Sequence, residues 1–219
     1  MNESTVKTNC PETKVDLIKD LKGFLFNRPI NKISKSVMKK KILIGVVAFV
    51  VLLGIAFSYL NYRNRNLSPP GTAELTVGGL TVSIAYSRPS VRDRLVFGTE
   101  EQGALQPYGT YWRLGANEST EMTVNKDILF NGQPVPAGTY RMYAIPDVDA
   151  FEIVLNSELG QWGAFEPNYS LDLLRTKVPV EPTSAMVELY TISMVEREGG
   201  IHVVFEWSDV RFSVPIEAQ

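Results

Sequence analysis

The chain has 219 residues, with 22 Lys or Arg against 24 Asp or Glu, a formal net charge of −2. Its single cysteine, Cys10, lies near the N-terminus, so the long C-terminal part cannot contain a disulfide and disulfide-stapled secreted modules are excluded. The single histidine, His202, and the lack of cysteine after residue 10 argue against a zinc site. We expect no metal and no cofactor.

The N-terminal tail, residues 1–41, is basic, with ten Lys or Arg against four Asp or Glu, a net charge of +6. Within it, Val15, Ile18, Leu21 and Leu25 recur at helical spacing. This pattern is consistent with a short amphipathic helix on the inner membrane face, and equally with a solvated basic tail.

Residues 42–60 form an uncharged, mostly apolar segment directly after Lys39, Lys40 and Lys41. As a helix this segment would be about 28 Å long, close to the hydrocarbon thickness of a bilayer. A cleaved signal peptide is the alternative, but the apolar run and the preceding 41 residues are both too long for one. The segment therefore predicts a transmembrane anchor that crosses the membrane once.

Charge on the two sides of this segment predicts its orientation. Residues 61–219 hold twelve Lys or Arg against twenty Asp or Glu, a net charge of −8. Because positive flanks tend to stay cytoplasmic, we expect the N-terminus inside and the C-terminal domain in the periplasm or outside the cell. Residues 61–71, which end in Pro69-Pro70-Gly71, predict an extended linker.

The remaining domain, residues 72–217, has the pattern of an all-β protein. Short alternating runs such as Leu80 to Tyr86 are separated by turn residues, and hairpins are predicted at Gly78-Gly79, Asn131-Gly132 and Gly199-Gly200. Only residues 157–164 and 170–174 suggest a helical turn. Nine or ten strands indicate an antiparallel β-sandwich of jelly-roll type, with a barrel as the alternative.

Two segments combine arginines, aromatics and an Asn-Glu pair, and they supply the candidate binding residues. Arginine offers a planar set of donors for carboxylate or phosphate, and Trp or Tyr offers a stacking face. The same arginines could instead pair internally as scaffold. Trp162, in a loop-like stretch, could cap the core or line a groove. The candidates are Tyr86, Arg88, Arg92, Arg94, Trp112, Arg113, Asn117, Glu118 and Trp162.

Four stretches in this order also resemble a bacterial family of domains of unknown function, DUF2911. They are residues 85–98 (AYSRPSVRDRLVFG), 107–118 (PYG and WRLGANE), 136–140 (PAGTY) and 161–163 (QWG). The resemblance covers about residues 72–217 and implies an exported domain, without implying a reaction. Asp93 departs from the family pattern, which often has Gly there.

Three functional hypotheses follow. The leading one is a non-enzymatic, membrane-tethered sandwich that binds a small polar ligand, a glycan or an envelope partner. The second is an envelope hydrolase that uses Glu118 with Arg113, although no residue set predicts a catalytic centre. The third is a structural protein-interaction domain. An acidic outer domain without a basic patch argues against nucleic acid as a partner.

Overall fold

A single long helix, α1 (Lys35–Leu67), contains the whole uncharged segment. The computed structural model describes residues 35–219, with side chains from Val37 onward, so Cys10 and the amphipathic tail lie outside the described residues. Apolar side chains of α1 are exposed from Val37 to Leu60. Within the described residues α1 is the one helix long and apolar enough to cross a membrane. At 1.5 Å per residue it is about 50 Å long, so it exceeds the roughly 30 Å hydrocarbon core.

The prediction of an extended linker over 61–71 is wrong for most of its length. α1 continues through Leu67 and the first strand begins at Pro70, which leaves only Ser68 and Pro69 between them. Residues 61–67 contain no Pro or Gly, so no local signal stops the helix that the apolar run begins. Pro69 and Pro70 end it, because proline cannot donate the helical hydrogen bond and disfavours helical geometry in the residue before it.

Twelve strands follow α1, and they form two antiparallel sheets and one short parallel pair. In chain order the strands are β1 (Pro70–Val77), β2 (Leu80–Ser87), β3 (Phe97–Gly98), β4 (Gln106–Pro107), β5 (Thr120–Val124), β6 (Ile128–Phe130), β7 (Gln133–Val135), β8 (Gly138–Ile145), β9 (Ala150–Asn156), β10 (Asp172–Pro179), β11 (Glu181–Arg197) and β12 (Gly200–Ala218). A 3-10 turn, Tyr169–Leu171, precedes β10.

The larger sheet has the strand order β1-β2-β5-β8-β9-β10, and the smaller has β11-β12-β6-β7. The pair β3-β4 is parallel and separate. Buried apolar residues of both sheets belong to one core, for example Ile84 and Met142 from the larger sheet and Phe205 and Val214 from the smaller. The predicted antiparallel β-sandwich is confirmed.

Local pairing agrees with most predicted hairpins. Val77 pairs with Leu80 across Gly78-Gly79, and Phe130 pairs with Gln133 across Asn131-Gly132. The last hairpin is shifted by one residue, because Arg197 pairs with Gly200 and its turn is Glu198-Gly199. Two predicted strands, 201–207 and 211–216, are one continuous strand, β12.

The centre of the core is a cluster of aromatic side chains. Trp112 stacks on Trp207 with 5.8 Å between ring centroids and meets Phe97 and Tyr190 edge-on, at 5.2 and 5.4 Å. Trp112 is 1% exposed. Its prediction as a ligand-stacking residue is therefore wrong, since core side chains cover its ring.

We expect Trp112→Ala to lower the free energy of unfolding by about 3–5 kcal/mol, because it deletes a fully buried aromatic side chain. Trp162→Ala is the matched control, since Trp162 is 37% exposed, and it should cost less than about 1 kcal/mol. Chemical denaturation of the full-length chain in detergent, followed by circular dichroism, compares them. Equal losses would contradict the central place of Trp112 in the core.

Candidate functional site

The first candidate segment leaves strand β2 and is tied at once to β11. The Arg88 side chain donates from Nε to the Tyr190 carbonyl at 3.2 Å and from Nη2 to Thr191 Oγ1 at 2.9 Å. The Tyr86 hydroxyl donates to the Ile192 carbonyl and accepts from the Ile192 amide, at 3.2 and 2.9 Å. These two side chains therefore join the sheets, as the internal-scaffold alternative expected.

Three other candidate arginines meet around one open cavity. Arg92, Arg94 and Arg113, together with Asn117, line a cavity of about 230 Å³ that Ser68 and Trp207 help to enclose. We call it the arginine cavity. No Asp or Glu is among its lining residues. The structure thus brings together four of the nine candidates.

Backbone carbonyls hold these arginines in place. Arg92 Nη2 donates to the Leu67 carbonyl at 3.0 Å, and Arg113 Nη1 donates to the Asn117 carbonyl at 3.3 Å. Arg94 donates to the carbonyls of its own loop, at Ser90 and Val91. None of the three makes a salt bridge with the residues that the structure describes. The Glu188 carboxylate accepts from the Arg92 backbone amide at 3.1 Å, but no carboxylate of the described residues lies within 4 Å of the three guanidinium groups.

Arg113 is the most enclosed of the three. Burial lowers the pKa of its guanidinium; nearby Tyr111 partly offsets this effect and Arg141 adds to it. Gly163 packs against its stem, where an added Cβ would lie 2.7 Å from Arg113 Cδ. Only a residue without a side chain fits there, which explains the Gly after Trp162.

The loops that carry the arginines hold unusual backbone geometry. Among the described residues, seven non-glycine residues have positive φ, and four of them lie in these loops: Arg92 (52°), Asp93 (55°), Leu114 (51°) and Asn117 (57°). Left-handed geometry costs a residue with a side chain on the order of 1 kcal/mol or more. Such strain concentrates at functional sites, so its position supports a role for this cavity.

Glu118 faces a different cavity from the arginines. Its carboxylate accepts from Arg65 Nη2 at 2.6 Å, and both side chains line a cavity of about 380 Å³ with Tyr86, Ala85, Glu121 and Gln161. We call it the polar cavity. Glu118 and Arg113 therefore line two different cavities, which does not support the predicted pairing of these two residues in a hydrolase.

Trp162 lies beside the polar cavity without lining it. Its backbone forms an isolated bridge with Glu118, and its side chain is 37% exposed. It belongs neither to the buried core nor to the lining of the polar or arginine cavity, and its role as a binding residue stays a prediction.

Residues 68–216 match the family described as Protein of unknown function (DUF2911). The chain belongs to the DUF2911 family. No curated protein and no solved structure matches it. Asp93 has left-handed geometry, with a φ of 55°. Asp tolerates this region better than most residues with side chains.

The DUF2911 domain also contains a buried arginine that the sequence did not reveal. Arg141 in β8 is 0% exposed, and its Nη2 donates to the Tyr111 hydroxyl at 2.6 Å and to the Phe165 carbonyl at 2.7 Å. Its Nη1 lies 3.5 Å from Glu158 Oε2. Arg141 therefore fixes the segment from Glu158 to Phe165, which packs on Arg113 and lines the polar cavity through Gly160 and Gln161.

A second polar network lies next to Arg141. The Tyr143 hydroxyl donates to Asp172, whose carboxylate also accepts from Asn156 at 2.8 Å and from Arg175 at 2.7 Å. Burial and then the Asp172 carboxylate raise the pKa of Tyr143 well above its usual range. All members are satisfied within the fold, so this network is structural.

Two further observations bear on function. Apolar side chains are exposed between residues 159 and 173, at Leu159, Phe165, Leu171 and Leu173. Within residues 35–219 there is no group of three or more His, Cys, Asp or Glu that could hold a metal ion.

We expect Arg141→Met to lower the free energy of unfolding by about 3 kcal/mol, the low end for a broken buried pair, since Glu158 is 28% exposed. Faster hydrogen exchange should appear at Gly163 and Phe165, whose amides donate to the carbonyls of Asn117 and Trp162. Arg211→Met is the control, because Arg211 forms a partly exposed pair with Glu206 at 3.7 Å. This change should cost less than about 1 kcal/mol. Unchanged exchange at residues 163 and 165 would refute the anchoring role.

Proposed function

We propose that this DUF2911 domain binds a small anionic ligand, with a carboxylate or phosphate group, in the arginine cavity. One observation carries the proposal: Arg92, Arg94 and Arg113 line a single cavity that has no acidic lining residue. The surrounding domain, residues 61–219, has a net charge of −8. A local cluster of three positive charges attracts an anion, whereas the rest of this acidic domain on average repels one.

The arginines keep donors for such a ligand. Arg92 and Arg113 each use one guanidinium nitrogen on a protein carbonyl, and Arg94 uses two. The remaining N–H groups match the paired oxygens of carboxylate or phosphate. At about 230 Å³, the cavity is below the usual range of about 300–1,000 Å³ for drug-sized ligands. We therefore infer a ligand of a few heavy atoms.

The enclosure of Arg113 adds an electrostatic reason. Its charge is partly desolvated, which lowers its pKa, and a buried charge without a partner is costly. An anion that contacts Arg113 would supply that partner. Binding would therefore offset a cost that the unliganded fold carries.

The other two hypotheses receive less support. A hydrolase built on Glu118 and Arg113 needs both at one substrate, whereas they line separate cavities. The exposed apolar side chains of residues 159–173 offer a surface for an interaction domain, but nothing among the described residues indicates what would cover it.

Arg113→Gln and Arg92→Gln should each weaken binding of inorganic phosphate or succinate about tenfold, since each removes a charge-assisted hydrogen bond. Titration calorimetry of the full-length chain in detergent measures the affinity, with glycerol as a neutral ligand. Affinity should also fall as salt rises, because the attraction is screened.

Arg197→Met is the control for these variants. Arg197 is exposed at the β11-β12 turn and makes no salt bridge with the described residues, so phosphate affinity should not change. Folded Arg92 and Arg113 variants that bind both anions as well as the native chain does would refute the anion site.

We further propose that α1 anchors the protein in a membrane, with the N-terminal tail in the cytoplasm and the domain in the periplasm or outside the cell. The support is the length and exposed apolar surface of α1, the +6 charge of residues 1–41 and the −8 charge of residues 61–219. The ligand would then be a solute outside the cytoplasmic membrane.

Cysteine labelling tests this orientation, because Cys10 is the sole cysteine. A membrane-impermeant maleimide should not label Cys10 in intact cells but should label it after lysis. In a Cys10→Ser background, Ser184→Cys, at an exposed position of β11, should be labelled in intact cells. The reverse pattern would place the domain inside.

A further inference from the structure

The polar cavity differs from the arginine cavity in both size and charge. At about 380 Å³ it is the larger, and it falls within the usual range for small-molecule sites of about 300–1,000 Å³. The charged residues that line it are Arg65, Glu118 and Glu121, which together give a formal net charge of −1. The polar cavity therefore disfavours an anion of the kind proposed for the arginine cavity.

The charged groups of this cavity offer both donors and acceptors. Arg65 and Glu118 pair with each other, yet their side chains stay 49% and 45% exposed. Glu121 Oε1 accepts from the Gly160 amide at 2.8 Å and from Ser119 Oγ at 3.3 Å. No residue in the described part of the chain donates to the Oε2 atoms of Glu118 and Glu121. These atoms remain available as acceptors, beside the donors of Arg65.

A hydroxyl group is the ligand group that fits such a lining. It can donate to a carboxylate and accept from a guanidinium or an amide at once, whereas an ammonium only donates and a carboxylate only accepts. Arg65 also opposes a cation in the same space. The exposed Ala85 and Pro70 add an apolar part to the wall, where the C–H face of a sugar ring could pack.

We propose that the polar cavity is a second binding site, for a neutral hydroxyl-bearing ligand of the saccharide class. Glu118 and Glu121 accept hydrogen bonds from its hydroxyls, and Arg65 donates to them. The site is distinct from the anion site, because the two cavities share no lining residue.

Saturation-transfer NMR of the full-length chain in nanodiscs, with glucose, N-acetylglucosamine, maltose and lactose as probes, tests this site. We expect at least one saccharide to bind, and Glu121→Gln to weaken that binding about tenfold. Ala85→Phe should abolish it by filling the cavity at an exposed strand position directly opposite Glu121. Glu206→Gln, which changes a partly exposed, ion-paired carboxylate elsewhere, should leave saccharide binding unchanged.

Further measurements separate this site from the anion site. Arg113→Gln should not change saccharide binding, and excess phosphate should not displace the saccharide. The proposal is overturned if none of the four saccharides binds, if binding survives in folded Glu121→Gln and Ala85→Phe variants, or if phosphate competes. Binding of spermidine in place of the saccharides, lost in Glu121→Gln, would also overturn it and assign the cavity to a cation.

Discussion

The stacking of Trp112 on Trp207 in the core is the contact on which the candidate site depends. With no cysteine after residue 10, the domain has only packing and hydrogen bonds to hold its sheets together. Trp112 pairs with Ala144 by a two-way backbone bridge, so its chain is extended there. Neighbours in an extended chain point to opposite sides. The burial of Trp112 therefore turns Tyr111 towards Arg141 and Arg113 towards the arginine cavity.

Arg141 and Arg113, which both lie near Tyr111, show how the same type of side chain can serve either the fold or a ligand. Arg141 is completely buried: its Nη2 donates to a tyrosine hydroxyl and a carbonyl, and the Glu158 carboxylate lies 3.5 Å from its Nη1, while its Nε has no acceptor among the described residues. Arg113 is half-buried, and one carbonyl at 3.3 Å is its only hydrogen-bond acceptor among the described residues. Burying a guanidinium costs the most free energy when no other group replaces its hydrogen bonds to water. The deficit at Arg113, in a cavity with two more arginines, is the feature that points to an external anion.

The sequence was informative wherever local chemistry decides the structure. Alternation in Leu80 to Tyr86 and the turn residues Gly78-Gly79 and Asn131-Gly132 predicted real strands and hairpins, because side-chain period and turn geometry are local. The uncharged run 42–60 predicted a helix but not its end at Leu67. Strand β10 was missed, since Thr176 takes one of its buried positions and Leu173 one of its exposed positions, so the sequence does not alternate apolar with polar residues. Its Asp172 and Arg175 belong to the Tyr143 network, a partner set that only the folded sheet brings together.

The candidate residues divide for the same reason. Composition marked the arginine-rich loops, yet it could not tell Arg88, which bonds to β11, from Arg92, which lies at the end of α1. The Arg92 side chain donates to the carbonyl of Leu67, the last residue of α1. Asn117 Nδ2 donates to the next carbonyl in the chain, that of Ser68, at 3.2 Å. Both donors also line the arginine cavity. An anion that drew Arg92 away from the Leu67 carbonyl would compete with the cap of the helix, and by linkage the loss of that contact would change the affinity for the anion by the same coupling free energy.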